Sequence, residues 1–335
     1  MIIDMSSLQE KGFVELEIDP KLNLLAEIQR LKKEKNAVIL AHYYQDAEIQ
    51  DIADFVGDSL ALSQQAATTK ADMILFAGVH FMAETAKTLS PEKKVLIPDL
   101  KAGCSLADSC KGEDFAAFVA AHPGHVVISY VNTTNEIKAL TDVVVTSTNA
   151  VQIVESFPKD QKIIFGPDRN LGNYINGLTG RDMVLWDGAC HVHQDFSLSA
   201  ILDLKKQHPD AKVISHPECP KPILIVSDHI GSTKSLLDFT VRDTTQTYIV
   251  ATEWGIIHQM KKQNPGKTFI PAPPETSEGV NCGCNECKYM KLNTLRKVYT
   301  ALLTEQPEVT LSAENIEKAY KPIRRMLDIS AELGL

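Results

Sequence analysis

The sequence predicts an α/β protein of three similar three-layer αβα domains. Their parallel sheets are expected in pseudo-threefold arrangement around a central active site. Three observations point there. Short β-branched runs alternate with amphipathic helical stretches along most of the chain. The runs are apolar throughout, as in strands covered on both faces of a parallel sheet. A strand-end polar group also recurs with a hydroxyl at one fixed spacing, three times.

In chain order, residues up to about 35 read as a lead-in and a helix with apolar positions Leu22, Leu25, Ile28 and Leu31. Strands are predicted at NAVILAHYY (36–44), ADMILFAG (71–78), KKVLIPD (93–99) and HVVISYVN (125–132). DVVVTS (142–147), QKIIFGPD (161–168), DMVLWDG (182–188) and KVISHPE (212–218) follow. ILIVSD (223–228), TYIVATE (247–253) and KTFIPAP (267–273) complete the series. Helical patterns lie between most of them, for example Leu60 to Thr69 and Leu198 to Gln207, and residues 290–335 read as helices. The expected division is a lead-in over 1–35, a first domain over 36–107 completed by the helices of 290–335, a second over 108–194 and a third over 195–289.

Of 335 residues, 44% are apolar and 23% charged, which suits a well-filled globular core. The net charge is −9 with no basic stripe, so neither nucleic acid nor an anionic membrane surface is an expected partner. No apolar run approaches the roughly 20 residues of a membrane helix. The N-terminus lacks a basic start followed by a long apolar block, so no secretory signal is expected and the location should be cytoplasmic. Seven widely spaced cysteines are no disulfide framework and point to metal ligands or nucleophiles.

In α/β folds, polar groups just past strand C-termini face ligands. There the repeat appears. His42 is followed after 17 residues by Ser59, Tyr130 by Ser147, and His216 by Thr233. The offsets between copies are 88 and 86 residues, and Cys104 and Cys190 are 86 apart. Three related units of about 87 residues would aim three cysteines and three polar sets at one cavity. In the third unit Cys287, Cys284 and Cys282 all fit the spacing. Three convergent thiolates suit a [4Fe–4S] cluster with one iron left open, and that iron can act as a Lewis acid in dehydration. Structural zinc prefers four protein ligands, and Cys284–Cys287 is the one CxxC in the chain. An iron–sulfur hydro-lyase and a cluster-bearing redox sensor share this logic; the sensor has no need of strand-end polar groups.

AHYYQDAEIQDIADFVGDS, PDLKAGCSLADSC, SYVNTT, TSTNA, FGPDRNLG, CHVH, HPECP, GST and ATEWG, in this order, resemble the quinolinate synthase family of bacterial NAD biosynthesis. The resemblance runs from about residue 36 to the end of the chain. It implies condensation of iminoaspartate with dihydroxyacetone phosphate to quinolinate, with loss of phosphate and water, and a functional link to L-aspartate oxidase. It implies a [4Fe–4S] cluster on Cys104, Cys190 and Cys287. The implied substrate-binding residues are His42, Ser59, Tyr130, Asn132, Ser147, His193, His216, Glu218 and Thr233, and the implied catalytic set is Tyr44, Tyr130, His193 and Glu218. The chain departs from the family at His191, where Pro is usual, and in the CxCxxC spacing of Cys282, Cys284 and Cys287.

Burial is expected to raise the Glu218 pKa and make it the general base. Few Lys or Arg are available to the site, so hydroxyls and helix starts should bind the anions, with Ser59, Ser147 and Thr233 acting also as N-caps. Asp168 and Arg169 are expected to brace a domain junction. Cys110 and Cys219 receive no role.

Overall fold

Three four-stranded parallel sheets carry the chain, and each is wound in the same way. The computed structural model describes residues 5–275 and 285–335; Cys282 and Cys284 lie outside the described residues. The first sheet has β1 (Ala37–His42), β2 (Phe55–Gly57), β3 (Met73–Ala77) and β4 (Lys94–Leu96), in spatial order β2-β1-β3-β4. The second has β5 (Val126–Tyr130), β6 (Val143–Val145), β7 (Ile163–Gly166) and β8 (Val184–Leu185), in order β6-β5-β7-β8. The third has β9 (Lys212–Ser215), β10 (His229–Ile230), β11 (Thr247–Ala251) and β12 (Thr268–Pro271), in order β10-β9-β11-β12.

The 17-residue spacing is a consequence of this ladder. His42 pairs with Gly57 and Tyr130 with Val145, and Ser59 and Ser147 each stand two residues further on. Ser215 pairs with Ile230, so His216 and Thr233 keep the same step. A carboxylate clamps each register. Asp54, Asp142 and Asp228 accept the N–H of Ile39, Val127 and Val213, each at 2.8 Å. Their own N–H groups donate back to the carbonyls of the same three residues. The first strand of every sheet is thus pinned to the turn ahead of the second.

Strands such as Met73–Ala77 and Val143–Val145 are buried at every position, so their apolar side chains fill both faces of the sheet. The largest core cluster joins the first two sheets through residues such as Phe76, Ile128 and Phe165. It is closed by Ala319, Ile323, Met326 and Leu327 of helix Ala313–Glu332. That helix packs on β6 and on helix His80–Leu89, whereas helix Leu295–Thr304 packs on helix Leu24–Glu34. Among the described residues no helix is long and apolar enough to cross a membrane.

One predicted strand is a helix. ILIVSD does not form a strand; Lys221–Ile225 is helical, with a proline in its first turn. Proline preorganises a first helical turn, and a short apolar run does not by its period distinguish strand from helix. The actual second strand of this sheet is the two-residue β10 just beyond.

Candidate active site

The C-terminal ends of β1, β5 and β9 open on one cavity. His42, Tyr130 and His216 line it, as do the matching hydroxyls Ser59, Ser147 and Thr233. Tyr44, Asn132, His193 and Glu218 are there too, together with Cys104, Cys190 and Cys287. Every site residue expected from the sequence therefore faces the same space. Cys110 and Cys219 do not line it: Cys110 packs beside Phe115, and the Cys219 thiol points to the Ala251 carbonyl.

Each cysteine sits at a short turn. Cys104 precedes helix Ser105–Asp108, Cys190 precedes helix His191–Gln194, and Cys287 precedes the 3₁₀ turn Met290–Leu292. Neighbouring side chains tie these turns together. Ser105 Oγ lies 2.6 Å from His191 Nδ1, and the rings of His191 and Tyr289 meet edge to face. Asn285 Nδ2 donates to the Val192 carbonyl. His191 thus links the first two cysteine turns, a contact that proline could not make.

Burial pushes the Cys104 thiol up to about 12 and the Cys287 thiol to about 11, and raises Cys190 well above its ordinary value. Thiolates at these places need a cation beside them. Ligand atoms of Cys190, His193 and Glu218 lie within 4.8 Å of one another, so this group could hold a metal ion.

The two strand-end histidines are set alike. His42 Nδ1 accepts the Tyr44 N–H at 3.2 Å, and His216 Nδ1 accepts the Glu218 N–H at 3.4 Å. An accepting Nδ1 leaves the proton on Nε2. Burial lowers both rings to about 3, so at neutral pH they are uncharged donors. His216 Nε2 lies 3.2 Å from Ser147 Oγ.

Glu218 departs from expectation. Burial does oppose its ionisation, but His193, His216 and the Tyr130 hydroxyl outweigh burial and hold the carboxyl down to about 2. Tyr130 Oη donates to Glu218 Oε1 at 2.5 Å, and His193 Nδ1 lies 3.1 Å from Oε2. Glu218 is therefore a fixed anion at neutral pH, and the raised pKa read from the sequence is corrected. From it a chain of hydrogen bonds continues. His193 Nε2 meets Thr252 Oγ1 at 3.0 Å, and the Tyr44 hydroxyl bridges Thr252 and Thr233, each at 2.8 Å.

The helix caps are also not where the sequence reading put them. Asp58 caps the helix that begins at Ser59, and Ser232 caps the one that begins at Thr233. Ser147 stands in a turn ahead of the helix Ala150–Glu155. The three hydroxyls are not N-caps. Asp168 does cap its own helix, and Arg169 pairs with Asp187.

No Lys or Arg lines the cavity among the described residues. Asp58, Thr252 and Glu253 belong to the site or its hydrogen-bond chain and were not named from the sequence. Thr252 and Glu253 sit just past β11, where the strand-end rule points, but they lie outside the 17-residue repeat that drew notice to the other positions.

A family model described as Quinolinate synthetase A protein matches residues 26–328. The quinolinate synthase of Synechocystis sp. is 60% identical over 308 residues, covering 92% of this chain and 96% of that protein. Those of Microcystis aeruginosa and Nostoc sp. are each 58% identical, over 92% of this chain and 95% and 94% of theirs.

Proposed function

The chain belongs to the quinolinate synthase family of enzymes, and from that premise we propose that it condenses iminoaspartate with dihydroxyacetone phosphate in de novo NAD biosynthesis. The products are quinolinate, phosphate and water. One observation carries the reading: three cysteines far apart in sequence open on the cavity that holds the Tyr130–Glu218–His193 cluster.

Cys104, Cys190 and Cys287 would hold a [4Fe–4S] cluster. The donor set fits. Thiolates around one zinc ion would stand roughly 3.8 Å apart. Among the described residues, the group that closes within 4.8 Å is not these three sulfurs. Three thiols spread around a cavity favour a larger centre with a corner free of protein ligands. Bound there, the cluster supplies a Lewis-acidic iron for the dehydration.

The protein's own residues do the rest. The substrates bring two carboxylates and a phosphate into a cavity whose lining, among the described residues, holds no Lys or Arg. Binding falls to neutral donors: the Nε2–H groups of His42 and His216 and the hydroxyls of Ser59, Ser147 and Thr233. Asn132 Oδ1 is buried with no protein partner, and it would accept from a substrate N–H. An anionic Glu218 cannot serve well as a lone base. It instead orients His193 through Nδ1 and stabilises positive charge on that ring, the division of labour of a carboxylate–histidine pair. His193, Thr252 and Tyr44 then form a relay along which protons leave and return. The imine must be supplied by oxidation of an amino acid, which gives the functional link to L-aspartate oxidase. A cytoplasmic location belongs to the same reading.

Protein purified without oxygen and supplied with both substrates should release quinolinate. It should carry iron and sulfide, lost in Cys104→Ala, Cys190→Ala and Cys287→Ala but kept in Cys110→Ala and Cys219→Ala. Iron-loaded protein that makes no quinolinate would overturn the proposal.

A further inference from the structure

The threefold ladder extends to a position outside the proposed chemistry. Leu75, Ile164 and Ile249 are equivalent, since they pair with the clamped residues Ile39, Val127 and Val213. Four residues beyond each stand Val79, Asp168 and Glu253. Both acids are fully buried, and both make the same pair of bonds. One oxygen serves the helix that follows: Asp168 Oδ1 accepts the Leu171 N–H, and Glu253 Oε2 accepts the Gly255 N–H, each at 2.7 Å. The other oxygen reaches a distant cysteine: Asp168 Oδ2 accepts the Cys190 N–H, and Glu253 Oε1 the Cys287 N–H, each at 3.2 Å.

We propose that Asp168 and Glu253 are positioning residues, each locking the main chain of one cysteine to the rigid start of a helix at its own sheet's end. This rests on reading the cysteines as cluster ligands. Capping alone does not account for the pair. Asp168 is an N-cap, but the N-cap of the third-sheet helix is Gly255, and Glu253 lies two residues before it. What the two acids share is the bridge to a cysteine amide. A buried carboxylate is costly unless its oxygens are bonded, and here both oxygens are occupied on both residues. In the first sheet Val79 stands in the equivalent place and cannot bridge. The turn ahead of Cys104 is held instead by backbone, with the His80 N–H donating to the Ala102 carbonyl at 2.7 Å. The lock therefore acts on two cysteines of three.

The test is site-resolved alkylation of the native apoprotein with iodoacetamide, read by peptide mass spectrometry. Asp168→Ala should speed modification of Cys190 about fivefold, the factor that one lost hydrogen bond of about 1 kcal/mol allows. Cys104 and Cys287 should keep their rates. Glu253→Ala should act likewise on Cys287 alone. Asp168→Asn keeps an accepting oxygen and should hold Cys190 near the parent rate. Glu253→Gln keeps the oxygen but loses the charge that raises the Cys287 thiol and faces Lys291 Nζ at 3.3 Å. It should therefore speed Cys287 clearly less than Glu253→Ala does. Should an alanine variant fail to fold, Asp168→Ser still caps the helix yet is too short to bridge, and Glu253→Asp shortens the other arm. Both should give the same cysteine-specific acceleration. Equal acceleration at all three cysteines would mean general loosening and would overturn the proposal. So would Asn and Gln variants that behave like Ala, since charge rather than position would then be the cause. Iron and sulfide analysis of the parent protein separately judges the cluster reading, because the alkylation pattern needs no cluster.

Discussion

At the scale of single residues, the hydroxyl of Tyr130 is the informative group. It donates to Glu218 and helps to hold that carboxylate ionised. Tyr130→Phe keeps the ring and removes the donor. We expect kcat to fall by about 10²–10⁴, the range for a proton-handling group, while iron content stays near the parent value and stability drops by about 1–3 kcal/mol for the lost bond to a buried carboxylate. Unchanged turnover would remove Tyr130 from the chemistry. The residues of the site were legible because they recur: His42, Tyr130 and His216 mark three strand ends, and their hydroxyl partners keep step. The electrostatics were not legible. Burial of Glu218 could be guessed from its place, but the Tyr130 and His193 donors come from strands and turns 88 and 25 residues away. Their convergence reverses the sign that burial alone would give.

At the scale of elements, the three aspartate clamps are equal in geometry but not in surroundings. Asp142→Ala and Asp228→Ala should each lower unfolding free energy by about 1–2 kcal/mol, the cost of a buried N–H left unpaired. Asp54→Ala should cost more, because Asp54 also faces the buried Lys32 ammonium at 2.7 Å. Urea midpoints measure all three; an Asp54→Ala loss no larger than the other two would contradict the argument. Ten of the eleven predicted strands are found, since apolar runs of four or more residues have few other uses in such a chain. The exception, ILIVSD, shows where periodicity fails and the prolines at 220 and 222 decide. Strands β2 and β10 went unread because three residues and two leave no pattern. Pairing with a central neighbour, not local preference, makes them strands.

At the scale of the whole molecule, one buried cation ties stability to pH. Burial lowers the Lys138 pKa from 10.5 to about 8, where its ammonium donates to the Thr133 carbonyl and lies 5.4 Å from the Phe81 ring. A depressed lysine pKa means that the unfolded chain holds the proton more tightly. Between about pH 8 and 10.5 this group therefore makes folding more favourable as pH rises, and below pH 8 its penalty is constant. The melting temperature of the parent protein should thus gain on that of Lys138→Met across that window. A difference that stays flat from pH 7.5 to about 10.5 would show that the group is not depressed.

The separation of caps from cavity hydroxyls has a wider consequence. Asp58 and Ser232 start two of the helices, and the next residue in each case is left to face the ligand. Architecture and recognition are thereby assigned to adjacent but independent positions. Ser59→Ala should leave stability within about 0.5 kcal/mol while weakening substrate affinity. A scaffold divided in this way lets selectivity drift without endangering the fold, so new anionic substrates become reachable by single replacements.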